Sequence, residues 1–201
     1  MNCDIDISGT ILQTERLTLR PWKTEDLDDF YEYASVDGVG QMAGWLPHKN
    51  KEESAQILQH FIDGKHTFAL EYRGKAVGSL GIEEYDEKQL PEFDELKCRE
   101  IGFVLSREYW GHGLMAEAVR EVLKYLFETV GTDAVFCTHD VTNLQSARVQ
   151  EKAGFHFYAG GMFHTRMNTD VRTKINIIYR VEYEQYRKRK MMLGGSPVKQ
   201  L

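Results

Sequence analysis

A chain of 201 residues, 42 % apolar and 28 % charged, can bury a substantial core and suits one soluble globular domain. Its formal charge of −6 argues against a general nucleic-acid binder, which would carry a basic footprint. The one basic run, Arg187 to Lys190, reads as a solvated helix end or tail.

The N-terminal MNCDIDISGT carries acid where a signal peptide would carry base. No apolar run approaches membrane-spanning length, so the expected setting is cytoplasmic, without a membrane or nucleic-acid partner. Cys3, Cys98 and Cys137 are scattered, with no paired framework and no CxxC spacing, and read as reduced thiols.

Ile11 to Trp22 alternates in its middle, with Leu17 and Leu19 set against Thr18 and Arg20, and reads as an opening strand. Thr24 then reads as a helix N-cap, with Glu25 and Asp26 in the first turn where the helix dipole favours acid. That helix runs to about Ala34, and 37–44 reads as a loop. A second helix spans Lys51 to Ile62 and stops before Gly64. Residues 67–72 and 76–82, β-rich and joined by a turn at Arg73-Gly74, form an antiparallel hairpin. An acidic connection, 83–95, leads to a mostly buried strand at 99–105. Met115, Val119, Val122, Leu126 and Val130 recur at steps of four and three, and Gly131 follows as a stop. Residues 134–139 read as a strand and Asn143 to Ala153 as a short helix stopped by Gly154. Two strands, 155–163 and 174–183, finish the chain. Residues 1–190 thus read as one mixed α/β (α+β) domain, with antiparallel hairpins at both ends and one strand–helix–strand unit at the centre. Residues 191–201, MMLGGSPVKQL, read as a flexible tail.

Chemistry concentrates in REYWGHGLMAEAV, residues 107–119. Its glycines let the backbone approach a phosphate, and free N–H groups at a helix start carry partial positive charge. A neutral loop can therefore hold a pyrophosphate, and a plain helix start with turn glycines is the other reading. The string also matches GxGxxA, the dinucleotide fingerprint. A dinucleotide fold predicts glycines directly after the strand and an acid about 20 residues on. Here Ser106 to Trp110 intervene, and Asp140 is late. Among the seven histidines there is no HExxH or paired-ligand spacing, so no metal is expected. There is no GxSxG nucleophile elbow either, which favours direct attack over a covalent enzyme intermediate.

A second motif, NLQSARVQEKAGF at 143–155, follows the next strand. With REYWGHGLMAEA upstream, it resembles the GNAT superfamily of acetyl-CoA-dependent N-acetyltransferases. TERLTLRPW at 14–22, GSLGI at 78–82 and EIGF at 100–103 fit the branch that includes the RimJ/RimL type of ribosomal-protein N-terminal acetyltransferase. The resemblance covers roughly residues 11–185. It implies a single GNAT-like domain, with a mixed, mostly antiparallel central sheet flanked by helices and a central strand–helix–strand unit for acetyl-CoA.

The resemblance also implies roles. Backbone amides of Trp110, Gly111, His112, Gly113, Leu114, Met115 and Ala116 would cradle the coenzyme A pyrophosphate. Met115 is bulkier than the family pattern allows. Phe103, Val104 and Leu105 would pair with the pantetheine arm, one N–H polarising the acetyl carbonyl. Asn143, also readable as an N-cap, would hydrogen-bond that arm. Many members place a tyrosine seven residues after the asparagine as acid to the departing thiolate. Here that position is Gln150, and Ser146 becomes the donor to sulfur. Glu100 is the candidate general base, with Glu83 and Glu84 as rivals. His139 reads as a core or strand-end residue. The expected partner is a small amine or peptide N-terminus, no metal is implied, and a homodimer is left open. A non-catalytic acyl-CoA-binding module and, through GxGxxA and Asp140, a nucleotide-dependent oxidoreductase are the competing functions.

Overall fold

In a computed structural model, which describes residues 1–193, the chain forms one mixed α/β domain around an eight-stranded sheet. The strands are β1 (Leu12–Gln13), β2 (Thr18–Pro21), β3 (Thr67–Tyr72), β4 (Lys75–Glu83), β5 (Cys98–Leu105), β6 (Ala134–Asp140), β7 (His156–His164) and β8 (Asp170–Tyr179). Their order is β1-β2-β3-β4-β5-β6-β8-β7. Every neighbouring pair is antiparallel except β5 and β6. The helices are α1 (Leu27–Ala34), α2 (Lys51–Gly64), α3 (Leu114–Tyr125), α4 (Leu144–Ala153) and α5 (Arg180–Leu193).

Local chemistry sets most boundaries. Asn50 caps α2 by accepting from the Glu53 N–H at 2.9 Å, while the Glu53 carboxylate accepts from the Lys49 N–H at 2.7 Å. Together they fix the start of the helix. Gly154 ends α4 at φ 99°, in the left-handed region that favours glycine.

Several boundaries differ from expectation. The opening strand is two strands, because Thr14 turns the chain with its N–H on the Leu17 carbonyl and its hydroxyl oxygen accepting from the Leu17 N–H. The N-cap of the first helical turn is the extended Lys23, not Thr24, which is the first residue of a 3-10 turn. The long central helix changes to a π-helical turn at Leu126–Val130 before Gly131. The last strand stops at Tyr179 rather than 183. The Glu182 carboxylate accepts from the Tyr179 N–H at 2.9 Å, and the Arg180 guanidinium bonds the Thr132 carbonyl at 2.8 Å. These contacts turn the chain into α5, which carries on through Leu193. The rest of the expected tail, 194–201, lies outside the described residues.

Two layers cover the sheet. One face packs Ile101, Leu105, Val135 and Cys137 against Leu114, Met115, Val119, Val122 and Leu123 of α3, with Tyr183 of α5. The other packs Trp22, Phe30, Tyr33 and Leu58 around α1 and α2. A third cluster, with Tyr85, Phe93, Cys98 and Phe136, lies under the 85–96 connection. Residues 134–137 of β6 are all at most 1 % exposed, as a strand covered on both faces requires. Among the described residues no helix is long and apolar enough to cross a membrane.

Candidate active site

The site begins where the sheet splits. β5 and β6 pair only from Cys98 with Ala134 to Glu100 with Phe136, and beyond that they diverge. The Ser106 N–H bonds the Val77 carbonyl at 2.8 Å, in the same register that sets Val104 against Ser79. Alternation in an antiparallel ladder then turns the backbone groups of Phe103 and Leu105 away from β4. They face the fork, and there the Leu105 carbonyl accepts from the Trp110 indole N–H at 2.8 Å.

Glu100 sits at the vertex. A continued parallel ladder would take the Thr138 N–H to the Ile101 carbonyl. Instead the Glu100 carboxylate accepts it at 3.1 Å, ending the pairing. Burial pushes this carboxyl above its ordinary range, and the neighbouring Glu83 and Asp86 charges push it further against the opposing pull of the Thr138 bond. Glu83 lies directly opposite in register.

A cleft of about 1040 Å³ fills the fork. Its near end is the start of α3. Gly111 at φ 81° and Gly113 at φ 78° take left-handed conformations, no side chain caps the helix, and its first bond runs from the Glu117 N–H to the Gly113 carbonyl. The preceding N–H groups thus have no partner within the helix and can receive an anion. Met115 is 5 % exposed and packs into the core, so its bulk is absorbed below the loop. The loop is clasped from β1–β2. Glu117 accepts from the Thr14 hydroxyl, from the Arg16 N–H at 2.8 Å and from the Arg16 guanidinium at 2.7 Å. Arg16 also bonds the His112 carbonyl at 2.9 Å.

Beside the fork stands α4. Asn143 is its N-cap, accepting from the Ser146 N–H at 3.0 Å, and its amide nitrogen reaches the Met42 carbonyl at 3.4 Å. One turn on, fully buried Gln150 donates to the Ser146 hydroxyl oxygen at 3.0 Å. The same cleft is lined by the exposed apolar side chains Met42, Met162 and Phe163 and by the carboxyl-bearing residues Glu83, Glu84, Asp86 and Glu100.

Nearly every residue singled out from the sequence lines this one cleft: Glu100, Phe103, Val104, Leu105, Trp110, Gly111, Gly113, Leu114, Met115, Ala116, Asn143 and Ser146, together with Glu83, Glu84 and His139. His112 stands apart, an exposed residue whose carbonyl is taken by Arg16. Asp140 is spent on its own turn, accepting from the Thr142 N–H at 2.7 Å and the Thr142 hydroxyl at 2.6 Å. Both bonds use one carboxylate oxygen, and Asp140 itself also lines the cleft. Sequence reasoning passed over Arg148 and Lys152, two cations on α4 that line the cleft. A count of basic residues near a loop lacking its own cation would have found them. It also missed the Thr14–Arg16–Glu117 clasp, which joins residues a hundred positions apart. Among the described residues no group of three or more His, Cys, Asp or Glu is placed to hold a metal.

Comparison with known proteins gives a consistent picture. The family model described as acetyltransferase (GNAT) domain matches residues 16–156, more than half of the chain. The uncharacterized N-acetyltransferase YoaA of Bacillus subtilis (strain 168) is 29 % identical over 152 residues, covering 72 % of this chain and 82 % of its own. The putative ribosomal N-acetyltransferase YdaF of the same organism is 24 % identical over 168 residues, covering 75 % and 87 %. Among solved structures, the Microcin C7 self immunity acetyltransferase MccE, in complex with acetyl-CoA and AMP, superposes with a TM-score of 0.69 at 13 % identity. It covers 82 % of this chain and 93 % of its own.

Proposed function

The chain belongs to the acetyltransferase (GNAT) family and is an acetyl-CoA-dependent acyltransferase, and from that premise we propose that it moves the acetyl group onto a cationic primary amine by direct attack. The observation that carries this reading is the fork itself. It has free helix-start amides at one end, Glu100 at its vertex and Ser146 of α4 on its lining.

In this reading the amides of Gly113 to Ala116 hold the pyrophosphate, with Arg148 and Lys152 supplying cations nearby. The pantetheine arm completes the broken ladder along Phe103 to Leu105. The Phe103 N–H polarises the acetyl carbonyl and stabilises the oxyanion as it forms. The amine enters from the acidic side, where Glu83, Glu84 and Asp86 favour a cation and the Met42, Met162 and Phe163 rim receives its apolar body. Glu100, held above the usual carboxylate range, takes the proton that the attacking nitrogen sheds. The new C–N bond forms, the C–S bond breaks, and the Ser146 hydroxyl donates to the leaving thiolate. YdaF's description as a putative ribosomal N-acetyltransferase makes a protein N-terminus the first acceptor to try, ahead of polyamines and other small amines. The cytoplasm is the compartment in which both substrates meet.

Release of coenzyme A thiol, followed against a panel of basic peptides and polyamines, tests the proposal. The expected result is turnover that Glu100→Gln and Ser146→Ala each lower by about 10²-fold or more. Turnover undiminished by either substitution would refute the assigned roles.

A further inference from the structure

Gln150 occupies the buried place where many family members put a tyrosine acid, yet an amide cannot protonate a thiolate. Its surroundings are fully specified. The Asn176 side-chain N–H donates to Gln150 Oε1 at 2.7 Å, and His139 Nδ1 approaches the same oxygen at 3.2 Å. With its oxygen engaged on that side, the amide must present Nε2 to Ser146 Oγ, at 3.0 Å. A serine hydroxyl has one proton and two lone pairs. With one lone pair already receiving Gln150, the rotor is restrained, and the remaining proton is directed away from Gln150.

We infer that Gln150 is a positioning residue which, through Asn176 and His139, locks Ser146 as a hydrogen-bond donor to the leaving sulfur. The inference rests on the reading of Ser146 given above. It replaces a single acid by a two-residue device spaced one helical turn apart, with the donor on the cleft wall and its lock fully buried. The same network fixes His139 as the Nδ1–H tautomer, since Oε1 can only accept. Burial holds this imidazole's pKa below its ordinary value, and hence keeps it neutral.

The test is a double-mutant cycle with Gln150→Met and Ser146→Ala, read as kcat and KM for acetyl-CoA. Gln150→Met keeps the volume and removes the donated bond. We expect it to lower kcat about tenfold, the worth of one hydrogen bond. KM should stay within about twofold, and the substitution should cost nothing further on top of Ser146→Ala. Gln150→Glu supplies the second measurement. Protonated, the introduced carboxyl donates to Ser146 as the amide does. Ionised, it accepts the Ser146 proton and diverts it from sulfur. The ratio of its kcat to that of the unaltered enzyme should therefore fall as pH rises, across a range in which its melting profile shows it folded. A wild-type kcat in Gln150→Met, or full additivity with Ser146→Ala, would overturn the inference while leaving Ser146 as donor. So would a pH-independent ratio for Gln150→Glu, which keeps the question decidable should Gln150→Met fail to fold. A Ser146→Ala enzyme with unchanged kcat would instead sink the underlying reading, and the inference with it.

Discussion

Glu100 carries two burdens that oppose one another. As a wedge it ends the β5–β6 ladder by taking the Thr138 N–H. As a half-buried carboxyl beside Glu83 and Asp86, it is held above its ordinary pKa by burial first and by those charges second. A group whose folded pKa is raised favours the fold below its unfolded pKa, and that contribution is lost as pH rises through the folded value. At neutral pH Glu100 is therefore a cost to stability. Glu100→Gln should raise the melting temperature of the free protein at pH 7–8, and this gain should vanish in acid. Calorimetry across pH checks it. The same substitution should lower kcat/KM by about 10²–10⁴-fold and abolish an acid limb lying above the ordinary carboxylate range. At this scale the sequence was informative wherever a motif spaces residues along one element: Asn143, Ser146 and Gln150 lie on or beside one helix. It was silent on Asn176, because that residue reaches Gln150 only after the chain has placed β8 between β6 and β7.

Among the elements, α3 joins fold to chemistry. Its apolar spacing buries Met115, Val119 and Val122 and thereby aims its uncapped N-terminus into the cleft. Gly113 at φ 78° opens that terminus. A left-handed conformation costs a residue with a Cβ roughly 1–2 kcal/mol, so Gly113→Ala should weaken acetyl-CoA binding and lower stability together. Arg16 acts on the same loop from outside, through Glu117 and the His112 carbonyl. This pair is partly exposed, so its worth is at most about 1 kcal/mol. Arg16→Ala should then raise KM for acetyl-CoA about fivefold, with kcat nearly unchanged, as steady-state kinetics would show. The helix and its glycines were legible from period and turn chemistry. The clasp was not, because it pairs Thr14 and Arg16 with Glu117 across the fold. The end of β8 was misread for a similar reason. Apolar residues recur through Tyr183, and only the Glu182 and Arg180 bonds to Tyr179 and Thr132 turn the chain helical.

The whole molecule is a sheet opened at one point. Ladder pairing is broken between β5 and β6 beyond Glu100 and Phe136, so this fork is where a ligand backbone can replace strand pairing. Ligand binding to the native state should raise stability by about 2.7 kcal/mol at a hundredfold excess over Kd. For a chain of this size that corresponds to an increase of roughly 5–10 °C in melting temperature. Acetyl-CoA should produce this rise and NAD should not, as thermal melts would report. Fold class was readable from element order alone. The joining of the 41–44 turn to the β7–β8 hairpin, which brings Met42, Met162 and Phe163 to one cleft, was not, because it depends on a contact across the fold, the Gly44 carbonyl accepting from the Arg166 N–H at 2.9 Å. The most direct measurement is a single-turnover reaction of the enzyme with acetyl-CoA and a cationic peptide amine, read by mass spectrometry of product and protein. Direct attack at the fork predicts acetylated amine and free coenzyme A in equal amounts, with no acetylated enzyme at any time. Accumulation of an acetyl-enzyme, or tight acetyl-CoA binding with no transfer to any amine tried, would contradict it.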